Sequence, residues 1–329
     1  MIRLLKILLL VAVVGAVAAI AVSRRGHAAT PETMPAMNMS AAEHLEHIKT
    51  MAASGDIHAN HALDEFARGA AQASPSNAKL PADDMGVVAR LASSPRKGEY
   101  VNVMVDGKPM RTWVVRPAGN GKAPVVVVIM EIFGLSDWIR GVADQLAKEG
   151  FIAIAPDFLS GMGPNHGGSQ ELGEQGSTQP TMAMKDEDKL RILNDVRAYA
   201  MKIPSANGKL ATVGFCWGGG TSFLYALNEP SLAAAVSYYG PMPDSLDYSK
   251  AKAPILGLYG ENDPRVDAGI PRAKEELAKR NVTYEPHVFP GAGHGFLRQQ
   301  GGNQNAPGNK AAAEQAWPLT LEFLRKYTK

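Results

Sequence analysis

The chain has 329 residues, 45% of them hydrophobic and 20% charged, a balance that suits a folded globular protein and excludes a disordered or low-complexity one. Its formal charge is +2, but Arg3, Lys6, Arg24 and Arg25 lie in an N-terminal segment with no acidic residue; taking those four charges from +2 leaves −2, so no basic surface argues for nucleic acid. Cys216 is the single cysteine, which excludes an internal disulfide.

Residues 1–6 are short and cationic, and 7–22 form an uncharged run of sixteen. At about 1.5 Å per residue such a run spans roughly 24 Å as a helix, short of the ~30 Å hydrocarbon core. A signal peptide over 1–29 therefore fits better than a spanning helix. Gly26-His27-Ala28 and Ala19-Ile20-Ala21 each offer a small-x-small cleavage site. The competing reading is an uncleaved N-terminal membrane anchor. Both put the chain outside the cytoplasm, periplasmic or secreted. Arg24-Arg25 follow the apolar run, so the segment is not a twin-arginine signal.

Residues 30–95 read as linker and helical extension. The stretch 30–39 is rich in Pro and Met. Ser40-Ala41-Ala42-Glu43 is a capping box that opens a short helix carrying Leu45, Ile48 and Met51. A second helix is expected over 57–71, with Leu63 and Phe66 on one face. The stretch 74–84 reads as a second linker. This piece is too small for a core of its own.

The main domain, 96–329, alternates strands and helices. Residues 100–105 and 112–116, joined across Asp106-Gly107, read as an antiparallel hairpin. The continuous apolar run 125–130 predicts a strand buried on both faces. A helix over 136–149, a strand over 151–155, a Gly-rich loop over 160–182 and a helix over 186–203 follow. Apolar residues 210–213 form a strand leading into Gly214-Phe215-Cys216-Trp217-Gly218, with a helix over 221–228 after it. Further strands are expected at 233–239, 255–259 and 284–289, and helices at 271–280 and 311–327. Such alternation predicts a mostly parallel, twisted α/β sheet with helices on both faces.

Gly214-x-Cys216-x-Gly218 is the pattern of a nucleophile elbow, with Cys where serine usually stands. Such a nucleophile needs an acid and then a base further along the chain. Asp263, just after the strand 255–259, and His294, just after 284–289, supply them in that order, each at the carboxyl end of a strand, where open α/β sheets place their sites. An adjacent His and a helix N-terminus favour a thiolate, and Asp263 would hold the imidazole tautomer. The first oxyanion donor is the backbone N–H of Trp217, and the second is expected after the strand 125–130.

Glu131-Ile132-Phe133-Gly134, the elbow itself, Tyr238-Tyr239-Gly240 and Ala292-Gly293-His294-Gly295-Phe296, in this order, resemble the dienelactone hydrolases over roughly residues 98–329. The resemblance implies an α/β-hydrolase fold and hydrolysis of small esters or lactones through an acyl-thioester on Cys216, without metal or organic cofactor. It implies that the second oxyanion donor is Ile132 N–H, that Glu131 contacts the thiol at rest and helps form the thiolate, and that Arg298 binds a substrate carboxylate. Phe133 and Tyr239 are expected to line the substrate pocket, and Asp157 reads as structural. The family's second arginine, after the strand matching 151–155, has no counterpart, since none lies between Arg140 and Arg191. A different ester or lactone is therefore as well supported as dienelactone.

Two rivals remain at this level. One is a general carboxylesterase or thioesterase using the same residues. The other is a periplasmic ligand- or metal-binding protein on a degenerate hydrolase scaffold, for which His44, His47, His58 and His61, with Met34, Met37 and Met39, would be the ligands. The intact triad speaks against degeneracy.

Overall fold

The computed structural model describes residues 78–301 and 306–329. The signal segment, the capping-box helix, the helix expected over 57–71 and the His/Met cluster lie outside the described residues.

Eight strands form one sheet. β1 (Glu99–Val105) and β2 (Lys108–Val115) are the predicted hairpin, followed by β3 (Ala123–Ile129), β4 (Ile152–Pro156), β5 (Ala206–Phe215), β6 (Ala234–Tyr238), β7 (Ile255–Gly260) and β8 (Tyr284–Phe289). Their spatial order is β1-β2-β4-β3-β5-β6-β7-β8. β1 and β2 run antiparallel to each other, and β2 runs antiparallel to β4. Every other neighbouring pair is parallel. β4, β6 and β7 are buried along their whole length, as their unbroken apolar sequences require of strands covered on both faces.

The helices are α1 (Val87–Ala92), α2 (Asp137–Lys148), α3 (Ser169–Ala183), α4 (Asp186–Ala200), α5 (Trp217–Asn228), α6 (Pro264–Asp267), α7 (Ile270–Ala278) and α8 (Asn309–Thr328). They cover both faces of the sheet, giving the α/β-hydrolase fold. Trp138 of α2 and Trp317 of α8 are fully buried against it.

Two expectations are corrected. The stretch 160–182 is not a loop: it holds a 3-10 turn at Pro164–His166 and then α3. Tertiary bonds override its Gly-rich composition. The Asp157 carboxylate accepts the Ser169 backbone N–H at 2.9 Å and its hydroxyl at 2.5 Å, and Glu171 accepts from Gly168 N–H at 2.6 Å. The described part of the stretch read as a second linker is also packed rather than loose. Leu80 and Ala82 are buried in the main core, the Trp138 indole N–H donates to Ala82 O at 3.1 Å, and Gln300 donates to Pro81 O at 3.0 Å.

Candidate active site

The site is built at the carboxyl ends of β3, β5, β6, β7 and β8, which are consecutive neighbours in the sheet. Cys216 follows β5 directly and precedes α5, with φ 54° and ψ −119°. A non-glycine residue there is strained, and it persists only where its surroundings over-determine it. Those surroundings are visible: Cys216 N–H donates to Tyr238 O at 3.0 Å, and the first turn of α5 lies directly on the ends of β3 and β6. A Cβ on Gly218 would collide with the carbonyls of Ile129 and Met130, and one on Gly219 would lie 2.5 Å from Tyr238 O. Only glycine lets the backbones approach so closely. Trp217 is the first residue of α5, so its N–H has no partner within the helix, and Gly218 after it packs on the carbonyl of Met130, the residue before the Glu131–Gly134 turn that carries Ile132.

Asp263 and His294 come from two loops stitched together. Asn262 N–H donates to Ala292 O at 2.8 Å, Glu261 N–H to Phe289 O at 3.1 Å and Gly291 N–H to the Glu261 carboxylate at 2.8 Å. Gly293 N–H donates to Asn309 at the start of α8, at 2.9 Å. The Asp263 side chain does not cap the helix it precedes. Its Oδ2 lies 2.5 Å from His294 Nδ1, and the imidazole also hydrogen-bonds the Cys216 thiol. Burial alone would lower the His294 pKa. The bonds to Asp263 and Cys216 and their charges outweigh it and raise the value to about 9. An imidazolium beside sulfur is the electrostatic partner that a thiolate nucleophile requires.

Glu131 is almost fully buried. Burial pushes its carboxyl up, and Arg298, whose Nη1 donates to Oε2 at 2.9 Å, pulls it back. Tyr239, at φ 40°, is completely buried, with its ring 5.1 Å from that of His294. Burial first, then the charges of Glu131 and Cys216, hold its phenol well above the ordinary value. Its hydroxyl has no hydrogen-bond partner among the described residues. Phe133 is partly buried, with the Arg298 guanidinium 4.7 Å from its ring.

Thus His294 joins Asp263 and Cys216, Tyr239 packs on His294, and Arg298 joins Glu131 and Phe133. Arg298 is not a free cation, however. It bonds to Asp84 and Glu174 as well as to Glu131. Neither Asp84 nor Glu174 is marked by a motif. Asp157 holds the start of α3 through Ser169.

The dienelactone hydrolase family model matches residues 110–328. The chain belongs to the dienelactone hydrolase family. As a member, it is a hydrolase acting on carboxylic ester bonds. It is 32% identical over 255 residues to a Saccharolobus solfataricus protein named "Putative carboxymethylenebutenolidase", a match covering 68% of this chain and 96% of that one. An Escherichia coli protein of the same name is 31% identical over 258 residues, covering 74% and 89%. A Klebsiella pneumoniae structure described as "Putative Dienelactone Hydrolase" superposes with TM-score 0.60 and 28% identity over 71% of this chain and all of that one. The dienelactone hydrolase from Anabaena variabilis shares the fold, with TM-score 0.54 and 21% identity over 72% of this chain and all of that one. Asp84 lies upstream of the segment that the dienelactone hydrolase model matches.

Proposed function

We propose that this hydrolase is exported and cleaves small ester or lactone substrates through an acyl-thioester on Cys216. The observation that carries the reading is the line from Asp263 through His294 to a thiol on a strained elbow at the head of α5. In the first half-reaction the Cys216 sulfur attacks the carbonyl carbon, and the oxyanion is held by the N–H groups of Trp217 and Ile132. The C–O bond to the leaving group breaks as the His294 imidazolium gives that oxygen its proton. In the second half-reaction neutral His294 takes a proton from water, whose oxygen attacks the thioester carbon. The C–S bond breaks, the acid leaves, and the sulfur is again a thiolate beside an imidazolium. Asp263 keeps Nδ1 protonated throughout. Each oxyanion donor contributes roughly 2.7–4 kcal/mol to lowering the barrier.

Export is supported by the charge and hydropathy pattern of residues 1–29. The mechanism is tested by quenching turnover of a slow ester and mapping the adduct by mass spectrometry. The expected adduct is an acyl group on the Cys216 peptide, absent from Cys216→Ala. Deleting one sulfur should leave the fold intact, so a folded Cys216→Ala protein that keeps a large part of wild-type kcat would overturn the mechanism.

A further inference from the structure

Arg298 is tied down on both of its binding edges. A guanidinium recognises a carboxylate through two parallel N–H groups on adjacent nitrogens, so it has one side-on edge and one end-on edge to offer. The side-on edge is taken: Nε–H donates to Asp84 Oδ1 at 2.9 Å, and Nη2 lies 2.9 Å from the same oxygen. The end-on edge is taken as well, with Nη1 on Glu131 Oε2 at 2.9 Å and Nη2 on Glu174 Oε1 at 3.1 Å. The Phe133 ring lies 4.7 Å from the guanidinium carbon, and the side chain is only 9% exposed.

Asp84 is held in place rather than drawn in by chance. Its N–H donates to Arg298 O at 3.0 Å. The neighbouring Asp83 carboxylate accepts Gly86 N–H at 2.8 Å, and Ala82 and Pro81 are anchored by Trp138 and Gln300. Glu174 follows Gly173, whose φ of 68° breaks α3 at that point. Whatever state Glu131 holds, two further carboxylates face one guanidinium. Lys189, which lies 5.3 Å from the Trp217 ring, is already bonded to Asp186 at 2.7 Å.

We propose that Asp84 and Glu174 determine specificity by closing Arg298 into an ion-pair cluster, so that the site selects neutral or cationic acyl groups over those carrying a carboxylate. The inference rests on the ester-hydrolase reading and concerns its substrate class. A carboxylated substrate would have to displace a held ion pair and would then face the displaced carboxylates. A neutral or ammonium-bearing substrate meets no such cost.

The test uses the full chain and three p-nitrophenyl esters of equal acyl length, ending in methyl, carboxylate or trimethylammonium. At low salt the wild type should turn over the carboxylated ester with kcat/KM about tenfold or more below the neutral one, and the gap should narrow as salt screens the rim. The cationic ester should match or exceed the neutral one. Asp84→Asn and Glu174→Gln should each raise the carboxylated-to-neutral ratio about fivefold, as loss of one partly exposed charge allows. Both variants are checked for folding by circular dichroism, and the wild-type salt series decides alone if neither folds. Wild-type turnover of the carboxylated ester equal to or better than the neutral one would overturn the proposal, as would an unchanged ratio in the folded variants. Turnover of none of the three would instead overturn the reading that small esters are cleaved through Cys216, and this inference with it.

Discussion

Gly219→Ala tests whether the clamp between α5 and β6 sets the nucleophile. The added Cβ would lie 2.5 Å from Tyr238 O, 2.9 Å from Gly240 Cα and 3.0 Å from Gly240 N, whereas ordinary Cβ contacts begin near 3.4 Å. All three are backbone atoms, so no rotamer change relieves the overlap, and about 0.9 Å of separation must come from moving α5 away from β6. Tyr238 O is also the acceptor that fixes Cys216 N–H, so the displacement falls on the elbow and on the Trp217 donor together. Overpacking of this kind costs about 1–3 kcal/mol, or roughly 6 °C in Tm for a loss of 2 kcal/mol in a domain of this size. A misplacement near 1 Å costs on the order of 100-fold in rate. The expected outcome is a folded protein whose thiol still titrates with one equivalent of a chromogenic disulfide, while kcat on a p-nitrophenyl ester falls about 100-fold. A variant with kcat within a few-fold of wild type and an unchanged Tm would show that the elbow is not set by this contact.

Further outcomes follow from the same geometry. The folded His294 value of about 9 lies above its ordinary 6.5, so its stabilisation is complete below pH 6.5 and is lost as pH rises through 9. The alkaline limb of kcat/KM should therefore fall near pH 9 and move to lower pH in Asp263→Asn; a limb that stays in place would refute the assignment. Arg298→Leu leaves the buried Glu131 carboxylate unpaired and should cost about 3–5 kcal/mol in urea unfolding, so a loss below about 1 kcal/mol, the worth of a surface pair, would contradict that coupling. Tyr239→Phe removes a hydroxyl with no described partner, and is expected to leave the urea midpoint nearly unchanged while lowering kcat. A large loss of stability would reveal a partner for that hydroxyl. Mass spectrometry of an envelope fraction should find an N-terminus between about residues 19 and 30, or an intact membrane-anchored chain; full-length soluble protein in the cytoplasm would refute export.

The strands were legible because buried parallel strands leave unbroken apolar runs. Residues 125–130 and 255–259 needed no further information. The elbow, acid and base were legible because each sits within a short glycine-bearing motif at a strand end. α3 was not, because Gly173, Gly176 and Pro180 argue for a loop, and the bonds that hold it as helix come from Asp157, twelve residues before Ser169. α1 is short and follows a stretch whose Ser, Pro and Asn content reads as linker, so nothing local marks it. The partners of Arg298 were the least accessible. Asp84 and Glu174 stand 214 and 124 residues away in the chain, and no periodicity reports an ion pair across that distance.

The strap of residues 80–86 adds a consequence at the level of divergence. It is not part of the sheet, yet it delivers one of the charges that surround Arg298. Leu80, Ala82 and Asp83 are buried, but the Asp84 side chain is exposed, unlike those of β7. Substitution at Asp84 can therefore retune the polarity of the entrance while the strands and their reactive groups stay as they are. In a lineage built on this scaffold, substrate preference and chemical machinery can drift at separate rates, because they are written in different stretches of the chain.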